Sequence, residues 1–285
     1  MLKIIKFEIG KQVKRKENLI LFFMFLMPLL YSIGVYRNSN IITYNSSELV
    51  NGLSFAKDMF TFIYMAFIVY IILAINSSNI LRGEIENNSI SIMLTRINNR
   101  GKIYRAKLYT QIIYWTVITC LFILFSIFCY YIFISKLKIA SGSIVSKDWI
   151  SDTLIIISLW SSYIFAISMV QSLSMNFKPF VSIGIFIVVF IILIYLKEFP
   201  KVQLVSPFYY LNKILNDWNT ITFVKYMIIN WGLIFLFSFL GIKKFKKSDL
   251  WELNKKYFIV RKFIIEFLKK YLTSWFSFRI ITIKS

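Results

Sequence analysis

Long apolar runs almost free of charge, separated by short polar or basic segments, set the rhythm of this chain. The runs occupy residues 19–36, 59–75, 108–135, 149–173, 179–196 and 223–241. Each approaches or exceeds the ~20 residues that cross a ~30 Å hydrocarbon layer at 1.5 Å per residue. The pattern predicts an all-α integral membrane protein with six transmembrane helices over residues 19–241. Lys225 lies one turn into the sixth run, where its ammonium can reach the headgroups.

The flanks differ in character. In residues 1–18, Leu2, Ile4, Ile5, Phe7 and Ile9 alternate with basic side chains, which predicts an amphipathic helix on the inner membrane surface. A secretory signal is the competing reading, but no small-residue cleavage site follows Pro28, Leu29 and Leu30. Residues 242–285 form a basic tail in which Tyr257, Ile264, Leu268, Leu272 and Trp275 share one helical face, and Lys255, Lys262, Glu266 and Lys269 the other. That tail is expected to lie along the cytoplasmic leaflet, with docking on a soluble partner as the alternative. Between the last two runs, residues 197–222 are rich in aromatic and aliphatic side chains and broken by Pro200 and Pro207. They predict short re-entrant helices in the outer interface, or a packed external loop.

Composition sharpens this picture. The chain is 58% hydrophobic and only 16% charged, with a mean hydropathy of +0.67, which leaves too little polar surface to cover a soluble fold of this size. The net charge of +21 raises the possibility of nucleic-acid binding, but the cations cluster between apolar runs and at the ends. Residues 1–18, residues 79–107, Lys178 and the tail hold 25 of the 34 Lys and Arg. That bias places both termini in the cytoplasm of a bacterial plasma membrane, with anionic lipid rather than nucleic acid as the charge partner. Cys120 and Cys129 lie in one run on roughly opposite helical sides, which argues against a disulfide or metal site. With no histidine in the chain, His-based zinc sites and Ser-His-Asp triads are excluded.

Chemistry is equally sparse. The nine glycines never form a phosphate-cradling Walker loop, so the chain binds no ATP by that route and no cofactor of its own is expected. The runs lack the midmembrane ionisable groups that gradient-driven transporters use. The informative stretch is the segment between the second and third runs. Glu84 and Glu86 come first, then Asn88 and Ser89, then an apolar stripe of Ile90, Met93, Leu94 and Ile97, then a basic set from Arg96 onward. Acid early and base late suits the helix dipole, and an apolar stripe outside the membrane needs a partner or this chain's own helix ends.

This order of residues resembles the cytoplasmic coupling loop of type-2 ATP-binding-cassette (ABC) exporter permeases. There the pattern runs Glu-x-Glu-x-Gly-Thr, an apolar cluster, Arg, then Lys at the start of the third span. Glu84, Glu86, Asn88, Ser89, Ile90, Met93, Leu94, Arg100 and Lys107 match it by position, with Asn88 in place of glycine and Ile97 in place of the usual proline. The likeness extends over residues 1–241 and includes Ser206-Pro207-Phe208 ahead of the last span. It implies a coupling helix between spans 2 and 3, a second permease copy or paralogue, and separate cytoplasmic ATPase subunits that carry ATP and Mg.

The expectation is therefore a permease subunit, not an enzyme, exporting an amphipathic or hydrophobic cargo such as an antimicrobial peptide, a toxin, or a drug-like or lipid-like compound, for immunity or drug resistance. Gln111, Ser158, Ser161, Ser162, Ser168 and Gln171 are candidate path-lining residues, with helix packing as the alternative role. A non-transporting membrane anchor or assembly subunit and a gradient-driven transporter are the competing functions.

Overall fold

The computed structural model describes residues 1–247 apart from 16, 17, 19, 20, 38–48, 88, 98, 146 and 147, and without the side chains of Ser91, Ile92 and Arg96. The apolar runs fold as helices, and no strand forms among the described residues beyond an isolated bridge between Val50 and Ala140. The first helices are α1 (Leu2–Val13), α2 (Leu21–Tyr36), α3 (Gly52–Met65) and α4 (Ile68–Ser78), the last continuing through a π-helical turn at Asn79–Gly83 into α5 (Glu84–Glu86). Next come α6 (Ser89–Arg96) and α7 (Arg100–Cys129), which a second π-helical turn extends to Ile134. They are followed by α8 (Trp149–Leu173), α9 (Pro179–Tyr195), α10 (Pro207–Asn216) and α11 (Thr220–Lys247).

Five of these stretches are long and apolar enough to cross a bilayer: Ile68–Glu86, Arg100–Ile134, Trp149–Leu173, Pro179–Glu198 and Thr220–Lys247. They make the chain a membrane protein. α2 is apolar but has only 16 residues. In α8, 78% of the most apolar window is buried, against 17% in α9 and in α11, so α8 is the central post and the other two turn apolar faces outward.

Serines give α8 that role, because small side chains let neighbouring helices approach and supply hydrogen bonds where no water competes. The Tyr226 hydroxyl of α11 donates to the Ser158 carbonyl at 2.8 Å. Asn230 of α11 donates to the Ser161 carbonyl at 3.0 Å and to its hydroxyl at 2.5 Å. Tyr70 of α4 and Ser162 share a hydrogen bond of 2.6 Å. The indole of Trp160 donates to Thr116 of α7 at 3.0 Å, and Phe122 of α7 packs its ring against Phe25 of α2.

One expected element is corrected. The run 59–75 is not a single helix, because the chain breaks at Phe67, whose φ of 58° and ψ of −17° are left-handed. Phe60 before the break and Tyr70 after it both pack on Tyr163, at ring distances of 5.5 and 5.2 Å. Rings from both sides of the break thus meet on the same tyrosine of α8. Neither glycine nor proline stands at the break. The left-handed turn is instead wedged by rings, with Phe67 stacked on Tyr70 at 5.8 Å and against Phe190 of α9 at 5.1 Å.

The last helix, α11, runs past the end of the sixth apolar run at residue 241 and continues to Lys247. The amphipathic tail beyond it lies outside the described residues. Residues 197–222 do contain short helices, and α10 buries Phe208, Leu211 and Ile214 against its neighbours. Ser206 ties its start to α9 by donating to the Leu193 carbonyl at 2.6 Å.

Candidate functional site: a buried charge cluster

The strongest concentration of ionic chemistry lies where α1, α5 and the first turns of α7 meet. α1 buries a polar stripe, Glu8 and Gln12, one helical turn apart, while Leu2, Phe7 and Val13 face outward. Lys107 of α7 has no exposed surface. Its ammonium donates to Glu8 Oε1 at 3.0 Å and to Glu84 Oε2 at 2.6 Å. The other oxygen of Glu84 accepts from Lys11 at 2.5 Å, and a guanidinium nitrogen of Arg15 stands 3.8 Å from it. Two carboxylates and three cations from three separate segments thus share one site, buried at Lys107 and Glu8 and open to the surface at Lys11. A buried lysine is tolerated only when opposite charges replace its hydration, and here two carboxylates do so.

The remaining residues of the coupling-loop pattern divide between interior and surface. Glu86 is exposed and pairs at 3.5 Å with Arg82, whose side chain is buried. Ser89 donates to the Glu84 carbonyl at 3.4 Å, which holds the start of α6 against the cluster. Ile90 belongs to this chain's own core, and Met93, Leu94 and Ile97 lie half-buried against it. The apolar stripe of α6 is therefore partly covered from within. Among the described residues of the turn, Glu86, Asn87, Thr95 and Asn99 are exposed. Arg100 begins α7 behind Asn99, whose side-chain oxygen caps the helix by accepting from the Lys102 amide at 3.1 Å. Asn88 lies outside the described residues.

The structure joins Glu84 and Lys107, both selected from the sequence, and adds Glu8, Lys11 and Arg15, which were not. The one sequence signal for Glu8 is that it is the sole acid among the first sixteen residues. Gln111, Ser158, Ser161, Ser162, Ser168 and Gln171 are all buried inside the bundle. Their polar atoms turn inward: Gln111 donates to the Asn76 carbonyl at 3.4 Å and Gln171 to the Tyr104 carbonyl at 3.5 Å. Within this chain they sit between helices.

A second, smaller ionic group sits at the far end of the bundle. Lys57 of α3 reaches Asp152 of α8 at 3.0 Å and Asp58 at 3.4 Å. No protein-family model matches the chain, and no curated protein sequence matches it.

Proposed function

We propose that the chain is the membrane-spanning permease subunit of an ATP-driven ABC exporter. It pairs with a second copy of itself and takes ATP hydrolysis from a separate cytoplasmic ATPase. Its cargo is amphipathic or hydrophobic, of the antimicrobial-peptide, toxin or drug-like class. In this reading the chain crosses the bilayer six times, through α2, the broken pair α3 and α4, α7, α8, α9 and α11. α10 dips back from the outer face, and both termini are cytoplasmic.

The observation that carries the reading is the grip of Glu8 and Glu84 on Lys107. The apolar stretch containing α7 has 35 residues, about 52 Å of helix against a ~30 Å hydrocarbon layer, so its basic start projects past the lipid tails. The cluster then sits at the cytoplasmic edge. A push on the exposed turn around Glu86 and Thr95 passes through Glu84 to Lys107 and into α7, and through Lys11 into α1. Such a lever converts closure of a soluble motor into a shift between inward-open and outward-open states.

The test is co-purification with a Walker-type ATPase encoded beside this chain, together with ATP hydrolysis by the reconstituted pair. Glu86→Lys is expected to reduce the ATPase retained. Glu84→Gln is expected to leave retention intact and abolish the stimulation of hydrolysis that reconstitution brings. Unaltered retention and unaltered stimulation in both variants would defeat the proposal. The inward packing of Ile90 favours one second reading, a membrane anchor without transport. In that case the pair would show no ATP-dependent export at all.

A further inference from the structure

At the Phe67 break the chain opens a recess of 410 Å³, bounded by the end of α3, the start of α4, α9 and α10. We propose that this recess binds an anionic amphiphile, with its apolar body among the rings of α3, α4, α9 and α10 and its acidic head at Lys197. The inference goes beyond the exporter reading and stands without it, because binding would be read on this chain alone.

Three independent observations converge there. The volume falls within the range of small-molecule sites, which are mostly apolar with a few polar groups that fix orientation. The wall is aromatic, formed by Tyr64, Phe67, Tyr70, Phe190 and Phe208. The rings brace one another, Phe190 lying 4.4 Å from Tyr70 and 4.6 Å from Phe208, so the shape is set before any ligand arrives. The Tyr70 hydroxyl is turned away to Ser162, leaving only ring surface toward the recess.

The second observation is backbone strain. Phe67 is the one non-glycine residue with positive φ among the described residues, and it lines this recess. Strain of this kind persists where surrounding structure enforces it, commonly at ligand sites, and interrupted helices build many binding sites within membranes.

The third observation is charge. Lys197 is the one cation of the lining, Asn212 and the Tyr64 hydroxyl are its other polar groups, and no acid is among the lining residues. Lys197 pairs only loosely, at 3.6 Å, with its neighbour Glu198, whose side chain is 67% exposed. A ligand carboxylate, sulfate or phosphate can displace so weak a pair. A cationic head would meet the ammonium, and a neutral one would forgo the charge-assisted contact. Acidic membrane lipid and an anionic cargo share this chemistry.

The experiment uses the full chain in phosphatidylcholine nanodiscs with a photoactivatable palmitic acid and, in parallel, its methyl ester. Cross-links are expected within residues 64–70 and 190–197. Half-saturation is expected about tenfold higher for the ester, and about tenfold higher for the acid on Lys197→Gln, the value of a lost charge-assisted contact. Ile194→Trp fills the recess and should remove the labelling. If that variant misfolds, the acid-versus-ester comparison on the unaltered chain decides the matter. Displacement by added phosphatidylglycerol would assign the site to membrane lipid, and its failure to displace would assign it to single-chain amphiphiles. Equal labelling by acid and ester, or label spread over the outward faces of α9 and α11, would overturn the proposal, as would capture of a second protein chain at residues 190–197.

Discussion

Removing the Lys107 ammonium would leave Glu8 buried with no cation from the cluster, while Glu84 would keep Lys11 and Arg15. Lys107→Met is therefore expected to cost about 3–5 kcal/mol, the usual penalty for breaking a buried pair from one side. Adding Glu8→Gln to the same chain should recover part of that loss. Thermal melts of the detergent-solubilised protein give both values, and an additive double variant would deny the pairing. Gly241 is a second sensitive residue, since a methyl group there would overlap the Tyr104 hydroxyl across the α7–α11 contact. Gly241→Ala should lower stability by about 1–3 kcal/mol through overpacking. Combining it with Tyr104→Leu should cost less than the sum of the two single changes.

Among the elements, the break between α3 and α4 makes the sharpest prediction. A left-handed residue other than glycine costs roughly 1–2 kcal/mol, and glycine escapes this penalty. Phe67→Gly and Phe67→Ala both remove the ring, so their difference isolates the backbone. Glycine should be the more stable of the two by about 1 kcal/mol. In a continuous helix the order reverses by a similar amount, because alanine is the better helix former. This element also marks the limit of what the sequence made legible. The apolar runs announced most helices correctly because lipid-facing and core-facing residues are alike uncharged. The same uniformity hid the break, which depends on rings from α4 and α9 meeting rather than on any local glycine or proline. The serines of α8 could be read as path or packing from sequence, and their neighbours Tyr226, Asn230 and Tyr70 could not be named from it.

For the whole molecule, the proposed orientation predicts opposite labelling of two exposed sites. Cys120 and Cys129 are the only cysteines and both are free, so a cysteine-free background is within reach. Thr95→Cys and Ser141→Cys are expected to react from opposite sides. In intact cells a membrane-impermeant maleimide should label the second, and should reach the first only after lysis. Labelling of both in intact cells would contradict the six-pass arrangement. At this scale the sequence supplied the helical, lipid-embedded character and the pairing of residues 84 and 107 with one end of the bundle. It could not supply Glu8, because nothing local tells which of several basic neighbours a lone acid will abandon for a lysine far along the chain.

The rungs between α8 and α11 have a mechanical consequence. Three side-chain hydrogen bonds from Tyr226 and Asn230 rivet these two helices at successive turns. Sliding one past the other by a turn would strand all three donors in a dry interior, so the pair must travel as a single spar. Any rocking of this protein then has to pivot elsewhere than between these two helices.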